Sequence, residues 1–143
     1  MTEMIPLYVD VFLSPIRDNS VAQVAVTAVL LLIILDWIFG VANAIMHKEF
    51  ESSKMREGIA HKCGELGFLL VGLVTDGVAL GGVDIGMGGY VFTAFCTYII
   101  VMEIGSLMEI VCKLDPKLAD SPGFKLLKNA KAIRIPDAEE IEG

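Results

Sequence analysis

The sequence has few of the groups from which most functional sites are built. Its three cysteines, Cys63, Cys96 and Cys112, are odd in number and form no CxxC or CxxH spacing. All three lie in or beside apolar runs, so they read as small buried hydrophobes rather than as a disulfide framework or a zinc site. HExxH, GxSxG, P-loop and GxGxxG patterns are missing. Asp36 and Asp76 could be taken for an intramembrane aspartyl pair, but neither sits in a GxGD context. No enzymatic activity, cofactor or metal is expected. His47 and His61 read as solvated residues of a polar loop, not ligands. No basic stripe interleaves with aromatics, which excludes nucleic acid as a partner. The first 20 residues carry Glu3, Asp10 and Asp18 against Arg17 alone, so there is no basic start of the kind a cleavable signal peptide needs. No inverted repeat points to a secondary transporter.

The most informative shortage is of charge inside long apolar runs. Residues 21–46 contain no Lys, Arg, Glu or His, and one acid, Asp36. As a helix that stretch covers ~39 Å, more than the ~30 Å hydrocarbon core of a bilayer. Two further runs follow, over 63–82 and 90–112. With 55% hydrophobic residues and a mean hydropathy of +0.66, the chain reads as an all-α membrane protein with three transmembrane helices.

Around these spans the organisation is simple. Ile5, Tyr8, Val9, Phe12 and Ile16 recur at helical spacing, so residues 1–20 are expected to hold an interfacial amphipathic helix. Residues 47–62 read as a polar loop, with Ser52 or Ser53 capping a short helix from Lys54. Residues 81–89, GGVDIGMGG, form a base-free glycine turn that makes a hairpin of the second and third spans. Residues 113–143 form a charged tail, basic from Lys113 to Arg134 and acidic at Asp137, Glu139, Glu140 and Glu142. That end reads as solubilising charge. Bases fall at Arg17, then at Lys48, Lys54, Arg56 and Lys62, then nowhere in the glycine turn, then along the tail. The positive-inside rule therefore places the N-terminus outside and the C-terminus inside.

Five acids fall within the spans: Asp36, Glu65, Asp76, Glu103 and Glu109. A charge at the bilayer centre costs ~2.5–3.5 kcal/mol on insertion scales, so each requires a reason. Glu65 and Glu109 lie near span ends and read as boundary residues. Asp36 and Glu103 lie deepest and at nearly the same level, with no base in any span to pair with them. They are either protonated and hydrogen-bonded between helices or line a hydrated space. Protonation of Asp36 or Glu103 is expected to bias the packing. Helical spacing collects small and polar residues on one face of each span: Asp36, Gly40, Asn43 and Ala44; Glu65, Gly72 and Asp76; Glu103 and Ser106, with Glu109 on the next face. These are the candidate association or pore-lining residues.

The order Asp36-x-x-x-Gly40-x-x-x-Ala44, then Ser53-Lys54-x-Arg56-x-Gly58 and Lys62, then Glu103-x-x-Ser106-x-x-Glu109 resembles the phage lysis and toxin-secretion holin family over roughly residues 25–115. That family favours Asn beside both glutamates of the last span; here Met102 and Ile110 stand there. The resemblance implies a small protein of the bacterial host cytoplasmic membrane that forms homo-oligomers in the lipid bilayer. It would open lesions that release an endolysin or a toxin, without needing direct contact with either. The alternative is a non-catalytic small subunit or channel component of a larger membrane complex.

Overall fold

The computed structural model describes residues 4–48, 52–87 and 89–129, with the side chains of residues 4–8 and 54 outside that description. Five α-helices and one 3₁₀ turn make up these residues: α1 Met4–Arg17, α2 Ser20–His47, α3 Ser52–Leu80, α4 Val91–Leu114, the turn Pro116–Asp120, and α5 Pro122–Lys128. There is no strand among them. Helices α2, α3 and α4 are each long and apolar enough to cross a bilayer.

Local chemistry fixes the ends of α2. The Asn19 side chain accepts from the amides of Val21 and Ala22 at 3.0 and 3.3 Å, satisfying two N–H groups that have no intrahelical partner. At the other end Lys48 adopts a left-handed backbone, φ 55°, and its amide bonds back to Ala44 and Ile45. Between these caps only 11% of the most apolar window is buried within the chain. Leu30, Leu31, Ile34, Leu35 and Ile38 all point outward. A helix this apolar on its free face is solvated by lipid.

The interior is a narrow seam. Ala22, Ala25 and Val29 of α2, Leu69 of α3, and Phe92, Cys96 and Ile99 of α4 form one buried cluster, each set at helical spacing. Helix α4 packs along both α2 and α3. It is parallel to α2 and antiparallel to α3. Gly72 makes the α3–α4 approach possible: a Cβ there would lie 2.9 Å from Phe95 Cδ2 and 3.1 Å from the Phe92 Cα. Phe95 in turn stacks on Phe68, with centroids 3.8 Å apart.

One expectation about the connections changes. The segment read as a loop over 47–62 is helical from Ser52 onward, so Ser52 and Ser53 lie in α3 instead of capping a later helix. Lys, Met, Arg, Glu and Ala in that stretch are good helix formers, and only Gly58 weakens it. Helix α1 forms as expected, and it packs against α3 and α2. Phe12 covers Gly77, where a Cβ would meet the Phe12 Cδ1 at 2.6 Å, and Ile16 joins the core. The side chains of Ile5 and Tyr8 lie outside the described residues. The glycine turn holds, with Gly82, Gly86 and Gly89 at φ 91°, 70° and 49°. The acidic end of the tail lies outside the described residues.

Candidate functional site: a shared ammonium between three helices

Two polar sites interrupt the apolar seam. The first lies toward the end of the bundle from which the tail leaves. Lys62, on α3, extends its ammonium between the helices. Its Nζ lies 2.6 Å from Glu103 Oε1 of α4, 3.0 Å from Asp36 Oδ2 of α2 and 3.4 Å from Glu65 Oε2 of its own helix. The Lys62 side chain is 15% exposed, Glu65 7% and Glu103 2%. The other Asp36 oxygen accepts from the Ser106 hydroxyl at 2.8 Å. His61 Nε2, on the solvent side, stands 3.1 Å from Glu65 Oε1.

Asp36 and Glu103 thus lie at one level, as their positions along the spans predict. The expectation that no base reaches them fails. Sequence alone makes Lys62 the last residue of a polar loop. In a continuous α3 it stands three residues before Glu65 and opens the stripe Lys62, Glu65, Leu69, Gly72, Asp76. A long aliphatic stem then lets the ammonium reach inward while the helix backbone stays at the periphery. Glu65 also departs from its reading as a boundary residue, being buried in the seam. Cys63, beside Lys62, is exposed; Cys96 and Cys112 are buried.

The charges here do not balance. One ammonium faces three carboxylates, so with all of them ionised the group would carry a formal charge of −2. Glu103 Oε2 and Asn43 Oδ1 are buried without a hydrogen-bond partner, and the two Glu65 oxygens have only the ion contacts to His61 at 3.1 Å and Lys62 at 3.4 Å. A buried ion pair holds only when its remaining lone pairs are met. The junction is therefore held chiefly by the Lys62 ammonium, with the Ser106 hydroxyl serving Asp36 and three carboxylate oxygens lacking a hydrogen bond.

The second polar site is at the glycine-turn end. Asp76, 1% exposed, accepts from the amides of Val91 and Phe92, each at 2.9 Å. These are orphan N–H groups of the first turn of α4, whose own N-cap residue, Tyr90, supplies no side-chain bond. Asp76 of α3 is thus the cap of α4, placed at the positive end of that helix. Sequence spacing put Asp76 on a polar stripe; it could not show that a residue 15 positions away replaces the missing local cap.

The remaining candidates scatter. Gly72 stands at the α3–α4 contact, whereas a Cβ added at Gly40, Gly64 or Gly67 would meet nothing within 4 Å. Ala44 lies on the last turns of α2 and is half-buried. Glu109 pairs with Lys113 at 2.7 Å, near the end of α4 and half exposed. Among the described residues no cluster of His, Cys, Asp and Glu could hold a metal.

The bacteriophage holin family matches residues 20–121, the stretch that includes α2, α3, α4 and the 3₁₀ turn. No curated relative and no solved structure matches the chain. The family is a non-enzymatic class that serves phage lysis. With three apolar helices, the protein is a multi-pass protein of the cytoplasmic membrane. The family match covers more than half of the chain and all three spans, and the chain belongs to the bacteriophage holin family.

Proposed function

We propose that the protein accumulates in the host cytoplasmic membrane as a closed three-helix bundle, associates with further copies, and then opens lesions that release an endolysin or a toxin. The observation that carries this reading is the junction at Lys62. One ammonium draws carboxylates from three helices out of contact with lipid, and the family role requires a protein that stays harmless before it acts. In the closed bundle the acids Asp36, Glu65 and Glu103 face one another. When copies associate, Gly40, Gly64 and Gly67 leave open faces on α2 and α3 for close helix approach. Separation of α2 from α4 breaks the Asp36–Ser106 bond and turns the acids toward a shared aqueous space. Hydration then stabilises what the bundle left unpartnered. In this reading residues 21–112 are the working domain, the N-terminus lies outside and the tail inside.

The test is expression of the full chain in a bacterium, with growth and leakage followed over time. Abrupt arrest after a delay is expected for the native sequence. Asp36→Asn and Glu103→Gln each remove a charge at nearly constant volume and are expected to shift the delay. Benign accumulation of the native chain would favour a subunit of a larger complex. Unchanged timing in both variants would remove the junction from the mechanism.

A further inference from the structure

The fold continues past the last span, and what it builds there has no counterpart in the lesion-opening reading. Asp115 caps the 3₁₀ turn by accepting from the Lys117 amide at 3.1 Å, with Pro116 at its first position. Six residues on, Ser121 caps α5 by accepting from the Phe124 amide at 3.2 Å, with Pro122 next. Two cap-and-proline steps in succession turn the chain sharply. They bring Phe124 back onto Cys112 near the end of α4, where Met108, Ala119 and Leu127 complete a small apolar cluster. Phe124 is buried, so α5 is pinned beside the end of a membrane span.

That position decides what surrounds α5. Leu126 is 75% exposed and Leu118 is also exposed, yet Leu118 follows soon after the end of α4 and Leu126 stands beside Leu127 of the cluster that packs Phe124 on Cys112. Lys117 and Lys125 point outward. From Pro122 to Pro136 the sequence carries Lys125, Lys128, Lys131 and Arg134 and no acid. The segment of α5 itself, residues 122–128, lies beyond the family match, which ends at residue 121.

We propose that α5 is a docking surface for anionic phospholipid headgroups in the leaflet where α4 ends. Leu126 inserts among the acyl chains, and Lys125 of α5 with Lys117 of the preceding turn meet the phosphates. The chemistry is that of an interfacial helix, where apolar contact and attraction to anionic lipid add. Connection to three membrane spans supplies the proximity. The pairing of an exposed leucine with the outward-facing Lys117 and Lys125 supplies the charge preference. This inference does not depend on whether the protein opens lesions.

The test uses the full chain with Trp37→Phe, which removes the one native tryptophan, and Leu126→Trp, which places a reporter on α5. Purified protein is reconstituted into vesicles of phosphatidylcholine alone or mixed with phosphatidylglycerol, each with brominated acyl chains. Several-fold stronger quenching is expected in the phosphatidylglycerol vesicles. Lys117→Glu with Lys125→Glu is expected to reduce it to the neutral-lipid level, as is high salt. Equal quenching in both vesicles would overturn the anionic preference, and no quenching in either would overturn the docking. Quenching that appears only after removal of residues 137–143 would also overturn the proposal, because the acidic end of the chain would then be the occupant.

Discussion

The two ends of the bundle both bury carboxylates and satisfy them by opposite means. At the glycine-turn end a single acid, Asp76, receives two amide hydrogen bonds of 2.9 Å, one to each oxygen. The donors are backbone groups that would otherwise be orphaned, so acid and helix start complete each other. At the tail end three acids share the ammonium of Lys62, and three of their oxygens have no hydrogen bond. The first arrangement is saturated and local to the α3–α4 hairpin. The second is under-satisfied and ties α2 to α3 and α4. A bundle built this way should come apart first at the tail end, with the hairpin persisting.

Removing the ammonium is the most severe way to test that contrast. Lys62→Met keeps the aliphatic length but leaves Asp36, Glu65 and Glu103 facing each other without a cation. Breaking a buried pair by removing one partner typically costs about 3–5 kcal/mol. Lys62→Met is expected to lose stability on that scale in thermal unfolding in mild detergent, and to accumulate poorly in cells. Lys62→Arg should retain most of the native behaviour, since a guanidinium can serve several carboxylates. If Lys62→Met unfolded like the native protein, the junction would not hold the bundle.

The opposite end should respond less. Asp76→Ala leaves the Val91 and Phe92 amides without an acceptor, a loss of about 1–3 kcal/mol. Its effect should be confined to the hairpin. Faster amide exchange is expected at Val91, Phe92 and the following turn of α4, with the α2 amides near Asp36 unchanged. Asp76→Asn retains one acceptor oxygen and is expected to fall between the native chain and Asp76→Ala. Exchange that rose equally along α2 would mean that the two ends do not act as separate units.

Much of this contrast is legible in the sequence and some of it is not. The three spans are set by long apolar runs broken only by single acids, and α2 and α4 lie within one or two residues of the expected bounds. The common level of Asp36 and Glu103 follows from counting along two helices that run the same way. What spacing could not supply was the partner. The polar stretch 47–62 ends at Lys62 and reads as a loop, and a lysine's reach depends on whether its backbone is already helical. The stripe that runs to Asp76 at intervals of three and four begins at Lys62, and that was the available signal. Asp76 shows a different limit. Its role depends on the geometry of the glycine turn, which brings the start of α4 over the α3 stripe. Nothing in local composition encodes that distance. The covering of Gly77 by Phe12 is a tertiary contact of the same kind.

The smallest effect should come from an ion group that looks similar on paper but is placed in water. Arg17 pairs with Asp10 and with Asp18, the latter at 2.8 Å, and all three side chains are about half exposed. The hydrogen bond from Arg17 holds the Asp18 carboxyl below its usual range, and the two acids push the guanidinium up. A carboxyl lowered on folding adds stability above its unfolded pKa, ~3.9 for Asp, and loses it as pH falls through the folded value. Any acid-induced loss from this group is therefore confined to pH below about 4. Solvent and salt screen the pair strongly, so Asp18→Asn is expected to leave the melting temperature at neutral pH nearly unchanged and to flatten its decline only below that pH. Lys62→Met measured beside it should show a large loss at neutral pH. A neutral-pH loss in Asp18→Asn as large as that in Lys62→Met would mean that burial is not what distinguishes the junction, and the contrast between the two ends would need another cause.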